Sequence, residues 1–362
     1  MSIAFSFIII IISVYVMKKC SYSFDIASSF LTRNLAEGIK GPTINAIASS
    51  LPELFISFMF LFYFRDLEGF SAGFATIIGS SAFNIAIIPT ISFLFVYNYN
   101  KHKVFKIDKL IIKQDVLFLL FSIVILMFGL FFGINFYFSI ILILFYFTYI
   151  FFVIKKRSKL KSNINENVFL YKPENSFYRS IINLDFFSLL FSGKLNKISS
   201  LVVLFLSVLI IGVSCYFLVI STEQISNFFE INIFFGAFII AAIGSSIPDT
   251  LLSIQDAKNS KFSDSFSNAF GSNIFDICIG IGLPVLIYSI IYQPIDTSLP
   301  IERIGFIGNY IFSGNLFLWS LLSLFIFTST VSFIYYKKSL DLYNSLKIIF
   351  LYLLFLIALI LF

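Results

Sequence analysis

The sequence predicts an all-α polytopic membrane protein, with ten transmembrane helices arranged as two inverted five-helix repeats. Three observations carry that prediction. Of 362 residues, 59% are hydrophobic and 12% charged, with 51 Phe, and the mean hydropathy is +0.97, far outside the range of a soluble globular domain. The apolar residues fall into runs that can cross a hydrocarbon core of about 30 Å as helices, without the alternating pattern of outer-membrane barrel strands. Residues 43–93 and 239–289 also repeat one another. Ser49-Ser50-Leu51-Pro52-Glu53 is echoed by Ser245-Ser246-Ile247-Pro248-Asp249, and Gly79-Ser80-Ser81-Ala82-Phe83-Asn84 by Gly271-Ser272-Asn273-Ile274-Phe275-Asp276.

The first span, 2–17, has no basic n-region and runs into Met17-Lys18-Lys19 without a small-residue cleavage site. It reads as a mature span and not as a signal peptide. Spans 38–63 and 70–97 carry the first copy of the motifs, and spans 115–132 and 135–154 complete the first repeat, 1–154. Residues 155–198 hold Lys155, Lys156, Arg157, Lys159, Lys161, Pro173 and Gly193, a polar linker too short for a sizeable soluble domain. The second repeat, 199–362, has spans at 199–220, 231–255, 265–292, 313–336 and 345–362, with the second motif copies on the seventh and eighth helices.

With the linker on the cytoplasmic side, the basic loops and helix edges gather there, and of 25 Lys and Arg only Arg65 and Arg303 face the other side. That bias follows the positive-inside rule and puts both termini outside. Asp249 follows Glu53 by 196 residues and Asp276 follows Asn84 by 192. Five spans per unit, an odd number, make the second copy enter the membrane from the opposite side. This is a recurring plan of secondary transporters, with the substrate site near the midplane between the copies.

Composition also excludes classes. The pI near 9.0 comes from basic residues scattered over short loops, which membrane topology explains better than nucleic-acid binding. His102, the one histidine, stands between Lys101 and Lys103 in a basic loop, so histidine catalysis and transition-metal sites are not expected. Cys20, Cys215 and Cys278 lack metal-ligand spacing and read as packing residues. Trp319 and the tyrosines near span ends suit interfacial anchoring. Asp256, Lys258, Lys261 and Asp264 read as a solvated loop, and Glu223 and Glu230 as outer surface charge.

The repeated motifs carry the chemistry. Pro52 lacks a backbone donor and crowds the preceding turn, so carbonyls around Ala46 to Ser49 should lose their intrahelical partners. Such carbonyls persist at membrane depth only when buried in protein or facing a cavity or ion. Ser49, Ser50 and Glu53 share adjoining parts of one helix face, and Ser245, Ser246 and Asp249 repeat the arrangement around Pro248. Ser80 and Asn84 are i, i+4, as are Ser272 and Asp276, each pair following a glycine that permits close helix approach. A charge at the centre of a membrane helix costs about 2.5–3.5 kcal/mol, so the three carboxylates Glu53, Asp249 and Asp276 need a partner. Hard oxygen ligands without His or Cys select Ca²⁺, Na⁺ or similar cations. A single Ser-x-Pro-Glu could be a mere kink, but two copies at matched positions argue for a site.

At these residues the chain resembles the cation/calcium antiporter superfamily, whose two repeats carry Gly-Thr/Ser-Ser-x-Pro-Glu/Asp and Gly-Ser-x-x-Phe-Asn/Asp. The second-repeat motifs, running on to Gly282-Leu283-Pro284, look most like the potassium-dependent sodium/calcium exchangers. The resemblance implies an antiporter and not an enzyme, working on Ca²⁺ and Na⁺ without a cofactor and leaving K⁺ cotransport open. It implies Glu53 and Asp249 as central Ca²⁺ carboxylates. Ser49, Ser50, Ser80, Asn84, Ser245, Ser246, Ser272 and Asp276 would complete the Ca²⁺ and Na⁺ sites, with the carbonyls of Ala46 and Ala242. Ser49 and Ser245 stand where threonine is common, Ala48 replaces a glycine, and Pro89 falls where a small or aliphatic residue is usual. Three alternatives remain open: a Ca²⁺/H⁺ antiporter using the same carboxylates, a passive channel, and an intramembrane aspartyl protease built on Asp249 and Asp276.

Overall fold

A computed structural model of the chain describes residues 3–31, 43–44, 46–100, 108–157, 173–174, 176–258, 262–292 and 316–361. The first repeat contains α1 (Ile3–Leu31), α2 (Ala46–Ser49), α3 (Leu51–Phe64), α4 (Leu67–Asn100), α5 (Lys109–Phe132) and α6 (Phe136–Arg157). Short helices α7 (Phe177–Asn183) and α8 (Phe186–Phe191) follow in the linker. The second repeat holds α9 (Lys197–Phe228), α10 (Ile233–Gly236), α11 (Ala242–Ser245), α12 (Ile247–Lys258), α13 (Phe262–Phe275), α14 (Gly282–Ile291), α15 (Leu316–Lys337) and α16 (Leu342–Ile360). A π-helical turn at Ala237–Ala241 joins α10 to α11, and another at Asp276–Ile281 joins α13 to α14. Among the described residues nine helices are long and apolar enough to cross a bilayer, and Leu51–Phe64 is a shorter apolar one.

The helix ends follow local chemistry. The Asp108, Asn196, Asn232 and Asp341 side chains each accept a backbone N–H of the first turn, satisfying donors that a helix start leaves orphaned. Gly133, at φ 81° and ψ 130°, takes a positive-φ conformation that glycine adopts without strain, and α5 turns there toward α6.

Three boundaries differ from the sequence reading by more than a helical turn, one of them the end of the sixth span, which runs past residue 220 to Phe228. The first helix runs past residue 17 to Leu31, so Lys18 and Lys19 are helical and not in a loop. No Pro or Gly interrupts Met17–Leu31, and Cys20, Ser21, Ser23 and Asp25 to Ser29 give the extension a buried face. The fourth predicted span, α5, begins at Lys109, not 115, because Asp108 caps it. Of the other expectations, His102, Lys261, Arg303, residues 38–42 and 45, residues 313–315 and linker residues 158–172 lie outside the described residues.

Packing repeats across the two halves. α1 lies along α9 in the most extensive helix pair. α3 packs on α4 as α12 packs on α13, and α3 packs on α9 as α12 packs on α1. α5 meets α13 as α15 meets α4, and α6 meets α14 as α16 meets α4. Each contact recurs with the halves exchanged, as two like units around a pseudo-twofold axis require. The outer surface is apolar, with Phe128, Phe131, Phe132, Phe147 and Phe205 exposed, while serines, threonines and asparagines lie inside. That distribution belongs to a multi-pass protein whose surface meets lipid.

Candidate cation site

The site is built where both motif helices break. Ser50 (φ −89°, ψ 2°) separates α2 from α3, and Ser246 (φ −77°, ψ −3°) separates α11 from α12. Each break precedes an x-Pro pair that opens the next helix, where a missing N–H is harmless. The expected loss of partners at Ala46 does not occur. Its carbonyl accepts from Ser50 N at 3.0 Å and Ser49 Oγ at 3.4 Å, and that of Ala242 accepts from Ser246 N at 3.1 Å and Ser245 Oγ at 3.1 Å. The prolines act four residues back, at Ala48 and Gly244, because an α-helical N–H reaches the fourth preceding carbonyl.

α4 and α13 supply the other half. Gly79 lets α4 approach closely, since a Cβ there would lie 2.3 Å from the Phe238 carbonyl oxygen. One residue on, Ser80 Oγ donates to Glu53 Oε1 at 3.1 Å, and in the second repeat Ser272 Oγ donates to Asp249 Oδ1 at 2.8 Å. Ser246 Oγ donates to Ser80 Oγ at 3.0 Å, and Ser49 and Ser272 share a hydroxyl contact at 3.4 Å. Asn84 crosses between the repeats, its Nδ2 donating to Asp249 Oδ2 at 3.1 Å, Asn273 Oδ1 at 3.0 Å and Ser80 Oγ at 3.4 Å. Ser245 sits beside Glu53 and Ser49 beside Asp249.

All twelve expected site residues, Ala46, Ser49, Ser50, Glu53, Ser80, Asn84, Ala242, Ser245, Ser246, Asp249, Ser272 and Asp276, are 0% exposed. Glu53 Oε2, Asn84 Oδ1 and both oxygens of Asp276 are buried without a well-aligned hydrogen bond, and the Ser50 hydroxyl lies beside Asp276. No lysine or arginine is buried among the described residues. Nor do three His, Cys, Asp or Glu side chains among them crowd closely enough to hold an ion alone. Serines and Asn84 stand between the carboxylates, so any ion here is met by mixed hydroxyl, amide and carboxylate oxygens.

Two polar residues escaped the sequence reading. Asn273 is fully buried, accepting from Asn84 and donating through Nδ2 to the Ser81 carbonyl at 3.0 Å. It sits inside the second motif where the first has Ser81, and that mismatch was the available signal. Asp115 is a fourth fully buried carboxylate, accepting from Tyr149 Oη at 3.1 Å and from Ser267 Oγ. Its expected place at the first residue of a span hid it, whereas the helix start at Lys109 carries it more than a turn inside. The three cysteines are buried and free.

The arrangement is an oxygen-lined centre between two inverted repeats in a membrane protein. The family model described as sodium/calcium exchanger protein matches residues 3–155 and 199–361, and the chain belongs to that family. It is 36% identical over 90 residues to human sodium/potassium/calcium exchanger 2, a match covering 24% of this chain and 14% of that protein. It is 34% identical over 94 residues to bovine sodium/potassium/calcium exchanger 1, covering 25% of this chain and 8% of that one. The matched stretches are thus a small part of these longer relatives. Among solved structures, the H⁺/Ca²⁺ exchanger CAX superposes with a TM-score of 0.66 at 16% identity, covering 98% of this chain and 80% of that one. The sodium–calcium exchanger NCX_Mj, soaked with 10 mM Na⁺ and zero Ca²⁺, gives 0.59 at 20% identity, covering 98% and 99%. At these identities the superpositions establish the fold: ten membrane helices in two inverted repeats.

Proposed function

We propose that this protein is a secondary antiporter exchanging Ca²⁺ for Na⁺ by alternating access, with residues 1–154 and 199–362 as its two repeats and 155–198 as a cytoplasmic linker. Glu53 and Asp249 are assigned as the central Ca²⁺ carboxylates. Ser49, Ser50, Ser80, Asn84, Ser245, Ser246, Ser272, Asp276 and the Ala46 and Ala242 carbonyls complete the Ca²⁺ and Na⁺ sites. One observation carries the reading: three carboxylates at 0% exposure, with no buried lysine or arginine among the described residues and with orphaned oxygens on Glu53, Asn84 and Asp276. Uncompensated carboxylates at membrane depth are costly, so a cation must neutralise them.

Exchange follows from that cost. Ca²⁺ or Na⁺ in the cluster compensates its charge, whereas a bare cluster disfavours the crossing between inward and outward states. The α1/α9 pair is assigned as the unit that slides against the motif helices to expose the site to one side at a time. K⁺ enters the proposal through Asp276, the carboxylate that sets the second repeat apart, and through the names of the mammalian relatives. The test is Ca²⁺ flux in proteoliposomes with Na⁺, K⁺ and proton gradients varied independently. Flux that requires an opposing Na⁺ gradient is expected. Flux driven by pH alone would make the protein a Ca²⁺/H⁺ antiporter, and conductance without a counter-ion would make it a channel.

A further inference from the structure

The linker is anchored to the molecule at named atoms. α1 offers it Tyr15, Lys19 and Ser23, successive residues of one i, i+4 stripe. Tyr15 Oη donates to the Ile182 carbonyl at 2.9 Å, Lys19 Nζ to Asn183 Oδ1 at 2.6 Å, and Ser23 Oγ to the Leu184 carbonyl at 2.9 Å. Three consecutive linker residues therefore meet three consecutive turns of α1. Leu184 closes α7 in the left-handed conformation (φ 48°, ψ 41°), and the chain turns there into α8. Asn183 Nδ2 holds Glu174 Oε1 at 2.8 Å, and α8 packs on α9. The segment is thereby fastened to both helices of the pair assigned to slide.

A cavity of about 490 Å³ lies between the linker segment, the end of α1 and α12. Glu174, Asn183 and Asp185 line one wall and Pro248, Gln255 and Lys258 another, and Pro248 adjoins Asp249 of the central site. Lys258 Nζ rests 4.3 Å from the centroid of the Phe95 ring, a hold that a carboxylate partner can replace. Glu174 carries the opposite charge on the facing wall.

We propose that residues 176–196, with Glu174 held to them by Asn183, form a strap that travels with α1 and closes the linker-side entrance, bringing Glu174 onto the Gln255–Lys258 end of α12. This rests on the exchanger reading, since the entrance must shut while the site faces the other side. The polar stripe on α1 is the clamp that makes strap and helix move together.

The double variant Glu174→Cys with Gln255→Cys in proteoliposomes tests it. A short thiol-cleavable bismaleimide should link the pair and lower Na⁺-driven Ca²⁺ uptake at least about tenfold, with recovery when the linker is cleaved. Linked protein exchanging at the unlinked rate would overturn the strap, as would failure to link under every ion condition. A second variant, Lys19→Met, leaves the ion site intact and cuts the clamp. It should speed tryptic cleavage at Arg179 and Lys194 and slow exchange by about threefold at unchanged half-saturating Ca²⁺. Parental cleavage and turnover would overturn the clamp. Absence of any exchange by the parental chain would instead overturn the exchanger reading, and the strap with it.

Discussion

In the first repeat Ser80 donates to Glu53, and in the second Ser272 donates to Asp249, yet one turn further along stands an amide, Asn84, on α4 and a carboxylate, Asp276, opening the π-helical turn after α13. The amide is spent as a cross-brace: its nitrogen reaches three acceptors on both repeats and turns its oxygen, Oδ1, into a buried orphan. The carboxylate is far less tied: the Ser50 hydroxyl lies beside it, and neither of its buried oxygens receives a well-aligned hydrogen bond. Duplication has kept the positions of the oxygens while placing two carboxylates in one arm and one in the other. The difference teaches that geometry and charge diverge separately in a repeated site.

Removing what the two arms share should have the largest effect. Glu53→Gln keeps the volume and one acceptor oxygen but deletes the charge that draws a dehydrated cation, and Na⁺-dependent ⁴⁵Ca²⁺ flux in proteoliposomes should fall to background. Flux at the parental rate would refute the assignment of Glu53.

The next substitution makes the arms alike by charging the first. Asn84→Asp turns three donated hydrogen bonds into contacts between oxygens, and like-charge contact at a buried site costs several kcal/mol. Exchange should drop by about 100-fold. A variant with parental activity would mean that the Asn84 cross-brace has no part in assembling the site.

Neutralising the second arm is milder, because Asp276 meets one hydroxyl, that of Ser50, and braces no other side chain. Asp276→Asn should weaken Ca²⁺ by about tenfold, as affinity follows the charge of the ligand set. Any stimulation of uptake by K⁺ should also disappear. Persistent K⁺ stimulation would move the K⁺ contact elsewhere.

Much of this was legible in the sequence, and for identifiable reasons. Phe-rich apolar runs fix helices because a bilayer leaves the backbone no other partner. Two copies of Ser-Ser-x-Pro-Glu/Asp named Glu53 and Asp249 because such an expense is not repeated without use. Asp115 was missed because hydropathy marks where a run turns apolar, not where a capping aspartate such as Asp108 starts the helix. The Lys19 clamp was missed because two adjacent lysines read as a loop, while the acceptors that hold the helix in place belong to a linker far along the chain. Contacts between distant segments leave no period in a sequence.

The smallest expected effect separates the two serines that look most alike. Ser272→Ala deletes a donor to Asp249 Oδ1, but Asp249 keeps Asn84 on its other oxygen. Ser80→Ala deletes the donor to Glu53 Oε1 and also the acceptor for Ser246 and Asn84, leaving Glu53 with only the Ser245 hydroxyl beside it. A hydrogen bond to a charged group contributes about 1.5–3 kcal/mol, and the remaining contacts of Asp249 should offset part of that. Ca²⁺ half-saturation should therefore rise by about tenfold for Ser80→Ala and only about threefold for Ser272→Ala. The reverse order, read from Ca²⁺ titrations of uptake, would show that the second arm and not the first carries the tighter hold on the ion.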